Sequence, residues 1–272
     1  MLDSRSMARE LTSVEPLLPV IRQRPLGLLS DIDGTLAPIV PRPEDAAVPD
    51  AVRALLGQLA ARGVKVALIT GRSLDVARRM PGLEHAAYAA NHGLTLWLEG
   101  REEAAPGIAE YESLARRAES DLLALTRTAP GVEVENKGPL LAVHYRRAAD
   151  PARTREAILQ AIERSAAARR FRIHEGRMVV ELRPPLDIDK GTVLETLVQR
   201  LGLRGVICLG DDITDIDMFA AARRLRAQDF ASAALAVASE EAVPEVARAA
   251  DYTLTGQARV EWLLAAIVRA LP

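Results

Sequence analysis

The chain has 272 residues, 49% of them hydrophobic, enough to bury a substantial core in one large domain or two small ones of about 150 residues each. Its 35 basic and 37 acidic side chains leave a formal charge of −2, which excludes a polybasic binder of nucleic acid or of an anionic membrane surface. Aromatic residues make up only 3%, too few for a single-strand stacking platform.

The first 25 residues read as an N-terminal extension. They are charged from Asp3 onward, and their apolar patch at 17–21 is interrupted by Pro19. That patch is too short for a signal h-region or a membrane span, so the expected location is cytoplasmic. Uninterrupted apolar runs then predict strands at 27–30, 64–70, 86–90 and 94–98, with helices at 50–62, where Asp50 can serve as N-cap, and 73–80. The middle of the chain reads differently. A polar helix at 108–128 leads into VEVENKGPLLAVHYR, a second charged helix occupies 151–168, and FRIHEGRMVVELRP reads as a hairpin turning at Glu175 and Gly176. Strands at 205–210, 235–237 and 252–254 follow, alternating with helices at 192–201, 215–225 and 260–271. Cys208, the only cysteine, lies inside VICLG; it forbids an intramolecular disulfide and reads as a small buried hydrophobe.

This alternation predicts an α/β protein, with a Rossmann-like parallel sheet core covered on both faces and an inserted α+β unit. The expected division is an extension at 1–25, a core at 26–106 and 184–272, and an insert at 107–183.

The chemistry gathers at predicted strand ends, where open parallel sheets bind ligands. LGLLSDIDGTLAPI carries Asp31 and Asp33 just past the first strand. Three further strands end at Thr70–Gly71–Arg72, at Asn91–His92–Gly93 and at Asp211–Asp212, and Lys190 opens a helix ahead of the last of these. Acidic groups gathered at one point are tolerable around a hard divalent cation such as Mg²⁺, which takes oxygen ligands. Lysine, a threonine hydroxyl and backbone N–H groups complement a phosphoryl group. One aspartate can then act as nucleophile and a second as general acid and base.

DIDGT at Asp31–Thr35, TGR at Thr70–Arg72, Lys190–Gly191 and GDDITDIDMF at Gly210–Phe219 resemble, in order, the four motifs of the haloacid-dehalogenase-like phosphatases. The resemblance implies Asp31 as nucleophile, Asp33 as general acid and base, and Thr70 and Lys190 as phosphoryl-binding groups. It also implies a Mg²⁺ site on Asp31, the Asp33 carbonyl and Asp211, supported by Asp212 and Asp215. The insert falls where that superfamily places its substrate-specifying cap. NHG at Asn91–Gly93, ENKGPLLAVHYR at Glu135–Arg146 and ELRP with DKG at Glu181–Gly191 look like the trehalose-6-phosphate phosphatase family, over about residues 26–264. This implies hydrolysis of the sugar phosphate trehalose 6-phosphate, with Gly71, Arg72, Asn91, Glu135, Lys137, His144 and Glu181 facing substrate, and functional coupling to trehalose-6-phosphate synthase. Two positions depart from that family: Ile32 stands where it usually has Tyr, and Ile216 where it often has Glu. Sucrose 6-phosphate, mannosyl-3-phosphoglycerate and a non-catalytic sugar-phosphate sensor remain open alternatives on the residues alone.

Overall fold

In the computed structural model the described residues are 8–40, 42–176, 178–238 and 243–271, the side chain of residue 43 apart. The chain forms two compact units. One comprises the segment up to Glu103 together with the segment from Ile188 onward; the other is Ala104–Asp187.

In chain order the first unit holds strands β1 (Arg9–Glu10), β2 (Leu26–Ser30), β3 (Lys65–Ile69), β4 (Ala87–Ala90), β5 (Thr95–Leu98) and β6 (Arg101–Ala104). Its helices over the same stretch are α1 (Leu18–Ile21), α2 (Asp50–Ala61) and α3 (Leu74–Arg79). The second unit holds α4 (Ile108–Leu122), α5 (Ala124–Thr128), β7 (Glu133–Asn136), β8 (Leu141–His144), α6 (Pro151–Arg164), β9 (Arg172–Gly176) and β10 (Val179–Arg183). The first unit then resumes with α7 (Lys190–Arg200), β11 (Gly205–Gly210), α8 (Asp215–Arg226), β12 (Ala231–Ala238), α9 (Pro244–Ala249), β13 (Tyr252–Thr255) and α10 (Gln257–Ala270).

Among the described residues the first unit's sheet runs β1-β13-β12-β11-β2-β3-β4-β5-β6. Pairing is parallel from β1 through β4 and turns antiparallel between β4 and β5. The apolar runs are continuous because both faces are covered. Leu28, Val66, Leu68, Ile207 and Leu209 point into one core with α2 and α10, while Leu29, Ala67, Ile69, Val206 and Cys208 point into another with α7 and α8. Burial pushes the Cys208 thiol well above its ordinary value, as befits an inert core residue. From β2 the chain winds outward through β3 and β4, and after the insert it winds the other way through β11, β12 and β13. The gap between the carboxyl ends of β2 and β11 is therefore a topological switch point.

The stretch ahead of β2 belongs to this sheet and core. Beyond residues 1–7, which lie outside the described residues, β1 pairs with β13, and Leu11, Leu17, Val20 and Ile21 are buried with β2 and α10.

The second unit is a sheet in the order β7-β8-β10-β9, antiparallel throughout, with α4 and α6 covering one face through Ala115, Leu122, Ile158 and Ile162. Three local expectations change. Asp50 is the first helical residue and Pro49 the cap position, with no side-chain cap bond. The helix expected at 108–128 is divided at Leu123, whose dihedrals stay helical (φ −58°, ψ −23°). The hairpin turn lies after Gly176 rather than at Glu175 and Gly176, because the ladder continues: Glu175 pairs with Val180 and Gly176 with Val179. Met178 then takes the left-handed conformation (φ 58°) that closes the turn.

Candidate active site

The end of β2 is tied to β11 by the Asp31 N–H, which donates to Leu209 O at 3.0 Å. Beyond it the chain closes on itself, with Leu36 and Ala37 both donating to Ile32 O and Gly34 donating to Ala37 O. Ile32 itself is fully buried in the core, so this departure from the family pattern is absorbed by packing. Ile216, the other departure, is partly buried against the opposite core.

The tight loop brings Asp31 to Lys190. Lys190 opens α7, which Asp189 caps through a capping box with Thr192. Its Nζ lies 3.1 Å from Asp31 Oδ2 and 2.7 Å from Asp215 Oδ1, with both Lys190 and Asp215 almost wholly excluded from solvent. Asp215 Oδ2 accepts the N–H groups of Asp211 and Asp212, each at 3.0 Å. One carboxylate thus satisfies a buried ammonium and folds the Asp211–Asp212 turn around itself.

The electrostatics follow from who sees whom. Burial works against the Lys190 charge, but Asp215 and Asp31 more than offset it and raise its pKa. Asp31 sees that one shared cation against several anions. Burial, with the charges of Asp215, Asp211 and Asp33, outweighs Lys190 and pushes its carboxyl well above the ordinary range. Burial and Asp215 likewise push Asp211 up to about 7. Charge is therefore in excess on the acidic side.

Oxygen atoms of Asp31, Asp211 and Asp215 all lie within 4.8 Å of one another. This is an all-oxygen donor set of the kind hard divalent cations take. The loop is shaped for it. Gly34 has φ +77°, and a Cβ there would stand 1.9 Å from Asp211 Oδ2, so only glycine lets that carboxylate close on the Asp31–Asp33 turn. The Thr35 hydroxyl donates to Asp211 Oδ1 at 3.0 Å, which orients it. The oxygens of Asp215 already serve Lys190 and two N–H groups, so this residue suits support better than direct ligation. The residues present fit such an ion.

Thr70, at the end of β3, is buried, and its Oγ1 accepts the Arg72 N–H at 3.2 Å. Asn91 is buried beyond β4; its N–H donates to Arg72 O at 2.8 Å and that of His92 donates to Thr70 O at 2.9 Å. Arg72 forks onto Asp33, Nε to Oδ2 and Nη2 to Oδ1, both at 2.7 Å. Gly71 packs under the His92 ring, whose Cε1 would be 2.4 Å from any Cβ there. Asp212 offers its backbone N–H, while its side chain is exposed and outside the acidic cluster.

A second constellation lies within the inserted unit. Glu135 and Glu181 both pair in register with Ala142, one from each side, so the two carboxylates stand on one sheet face across a small residue. Lys137, His144 and Arg183 fall on that face by the two-residue period, opposite Val143, Val180 and Leu182 in the core. Lys137 Nζ is 3.4 Å from Glu181 and 3.8 Å from Glu135, and Glu181 also accepts from Arg183. Those partners make a strand carboxylate with only 11% side-chain exposure tolerable. His144 Nε2 lies 2.9 Å from Glu135 Oε2. Burial pushes Glu135 up, but His144 and Lys137 more than offset it and leave it below its ordinary value.

One contributor escaped the sequence reading of the site. Thr35 was legible as a hydroxyl inside DIDGT, next to the acidic pair. Arg183, by contrast, follows Glu181 by two residues in a strand, the spacing that puts both on one face.

The family described as trehalose-phosphatase matches this chain over residues 29–258. A trehalose-phosphate phosphatase of Mycobacterium marinum is 42% identical over 202 residues, covering 70% of this chain and 49% of that protein. An uncharacterized glycosyl hydrolase of Mycobacterium tuberculosis is 38% identical over 202 residues, which are 71% of this chain but 15% of that protein. The match thus spans half or less of these two relatives. Among solved structures, the C-terminal domain of the Candida albicans trehalose-6-phosphate phosphatase superposes with a TM-score of 0.77 at 22% identity, over 98% of this chain and 99% of that one. At that identity the likeness speaks for the fold alone.

Proposed function

This chain belongs to the trehalose-phosphatase family, and from that premise we propose that it hydrolyses trehalose 6-phosphate to trehalose and phosphate in two steps on Asp31. The observation that carries the reading is Asp31 itself: a buried carboxylate at the switch point of a parallel sheet, 3.1 Å from a buried lysine and beside further carboxylates. A merely structural buried aspartate would be satisfied by the lysine and would gain nothing from the acidic neighbours, which work against its charge.

In the first step Asp31 attacks phosphorus in line and the ester bond to the sugar breaks, while Asp33 delivers a proton to the departing sugar oxygen. In the second, Asp33 takes a proton from water, which releases phosphate from the aspartyl-phosphate. Lys190 has three N–H donors, two of them directed at Asp215 and Asp31, and the third is available to a phosphoryl oxygen. Thr70 lies at the neighbouring strand end, where its hydroxyl can bind the same group, with Gly71 and Asn91 shaping the loop around it. Asp31, the Asp33 carbonyl and Asp211 would hold Mg²⁺, with Asp215 and the backbone of Asp212 in support, and the ion would supply positive charge to the phosphoryl oxygens. Treatment with EDTA is expected to stop phosphate release and added Mg²⁺ to restore it. Release that persists after exhaustive chelation would remove the cation from this account.

The polar face carrying Glu135, Lys137, His144 and Glu181 is the part we assign to the sugar, since paired carboxylates and a lysine suit a ligand made of hydroxyl groups. Phosphate release across trehalose 6-phosphate, sucrose 6-phosphate, mannosyl-3-phosphoglycerate and glucose 6-phosphate tests the assignment. Trehalose 6-phosphate should be the best substrate, and a clear preference for another ester would overturn that choice. Glu181→Ala should lower kcat/KM for trehalose 6-phosphate about a hundredfold and leave para-nitrophenyl phosphate within about threefold. Equal losses on both esters would count against a sugar-reading role. The same reading implies functional coupling to trehalose-6-phosphate synthase, whose product is this substrate.

A further inference from the structure

The grip of Arg72 on Asp33 is the strongest feature near the site that the two-step scheme leaves unused. Both carboxylate oxygens are engaged by one guanidinium, at 2.7 Å each, and the Arg72 side chain is only 17% exposed. This fork is built rather than incidental. The backbone that carries it is held from β4 by the Asn91 N–H on Arg72 O and the His92 N–H on Thr70 O. That brace requires three consecutive left-handed residues, Asn91 (φ 51°), His92 (φ 59°) and Gly93 (φ 97°), two of which have a Cβ. Backbone in this region is costly for such residues and persists only where the surroundings enforce it.

We infer that Arg72 is the positioning residue for Asp33, holding the acid–base carboxylate in register for proton transfer. The inference rests on Asp33 being the acid and base of the proposed reaction. The reason is the donor inventory. A guanidinium has donors and no acceptor, so a carboxyl hydrogen cannot point at it. The proton that goes to the sugar oxygen therefore sits on the outer lone pair of one oxygen, the one the fork leaves open, and points away from Arg72. As the base of the second step Asp33 can keep both bonds, since each carboxylate oxygen has a second lone pair for water. The fork thus aims the same outer lone pairs in both steps, giving a proton in the first and taking one in the second.

The test compares leaving groups. An alkoxide from a sugar needs protonation as it departs, whereas para-nitrophenolate does not. Wild type, Arg72→Met, Asp33→Asn and the double variant are assayed by single-turnover ester cleavage at saturating trehalose 6-phosphate and at saturating para-nitrophenyl phosphate. Arg72→Met is expected to slow the sugar ester about a hundredfold, to leave the nitrophenyl ester within about threefold, and to add nothing once Asp33 is Asn. Arg72→Lys keeps the charge without the fork and should fall between; it carries the same comparison if the methionine variant does not fold. Equal losses on both esters with a raised KM would overturn the inference, because Arg72 would then be gripping the phosphoryl group. No loss on either ester would overturn it too. If wild type cleaved neither ester, the phosphatase reading itself would fall and this one with it.

Discussion

Asp31→Asn is expected to abolish phosphate release, by about four orders of magnitude or more, while the protein stays folded. The amide is nearly isosteric, and its oxygen can accept either the Ile32 N–H, 2.7 Å from Asp31 Oδ1, or Lys190, 3.1 Å from Oδ2, but not both. It cannot attack phosphorus. The change should also cost little stability, for a reason specific to this site. Burial and the surrounding carboxylates already push the Asp31 carboxyl well above the ordinary range, so its negative charge is held there at a disadvantage in the absence of a cation. Removing that charge relieves repulsion, and Lys190 keeps Asp215 at 2.7 Å. Phosphate release and a thermal melt on the same preparation check both halves. Turnover within tenfold of wild type would end the nucleophile assignment.

Asp215→Ala is expected to damage both activity and fold. Its carboxylate is the closest partner of a buried ammonium and accepts two backbone N–H groups that shape the Asp211–Asp212 turn. Removing it leaves one buried and two partly buried donors short of an acceptor. Breaking a buried ion pair from one side costs about 3–5 kcal/mol, which for a chain of this size lowers Tm by about 5–9 °C. Activity should be lost as well, because Lys190 would swing wholly onto Asp31 and the Asp211 turn would lose its centre. Asp215→Asn should be milder, since its oxygen can still accept from one side while its NH2 faces another donor. A melt within about 2 °C of wild type for Asp215→Ala would show that the network does not hold this turn. The contrast with Asp31→Asn is the useful part: of two neighbouring aspartates on the same lysine, one should cost activity alone and the other should cost stability too.

Much of the scaffold could be read before any coordinates. The two-faced burial of Leu28 with Leu29, and of Ile207 with Cys208, is what uninterrupted apolar runs mean, and strand–helix alternation allows few ways to cover them. The reversal to antiparallel at β5 and the recruitment of Arg9–Glu10 as an edge strand were not legible. Two-residue pairings carry almost no pattern, and a charged pair such as Arg9–Glu10 looks like any exposed loop. The hairpin near Gly176 misled for a related cause. Glu175 and Gly176 have turn chemistry, but the ladder with Val179 and Val180 outweighed it.

What the sequence determined by itself is the identity and order of the groups proposed to react. Asp31, Thr70, Lys190 and Asp211 follow strand ends or open a helix, and a parallel sheet puts such ends on one edge. What only the tertiary structure decided is which charge answers which. Lys190 is divided between Asp31 and Asp215, Arg72 holds Asp33, and Glu181 is shared by Lys137 and Arg183. Ion pairs act over a few ångströms between residues far apart along the chain, so they depend on register, burial and the space a glycine leaves open, none of which a one-dimensional pattern encodes.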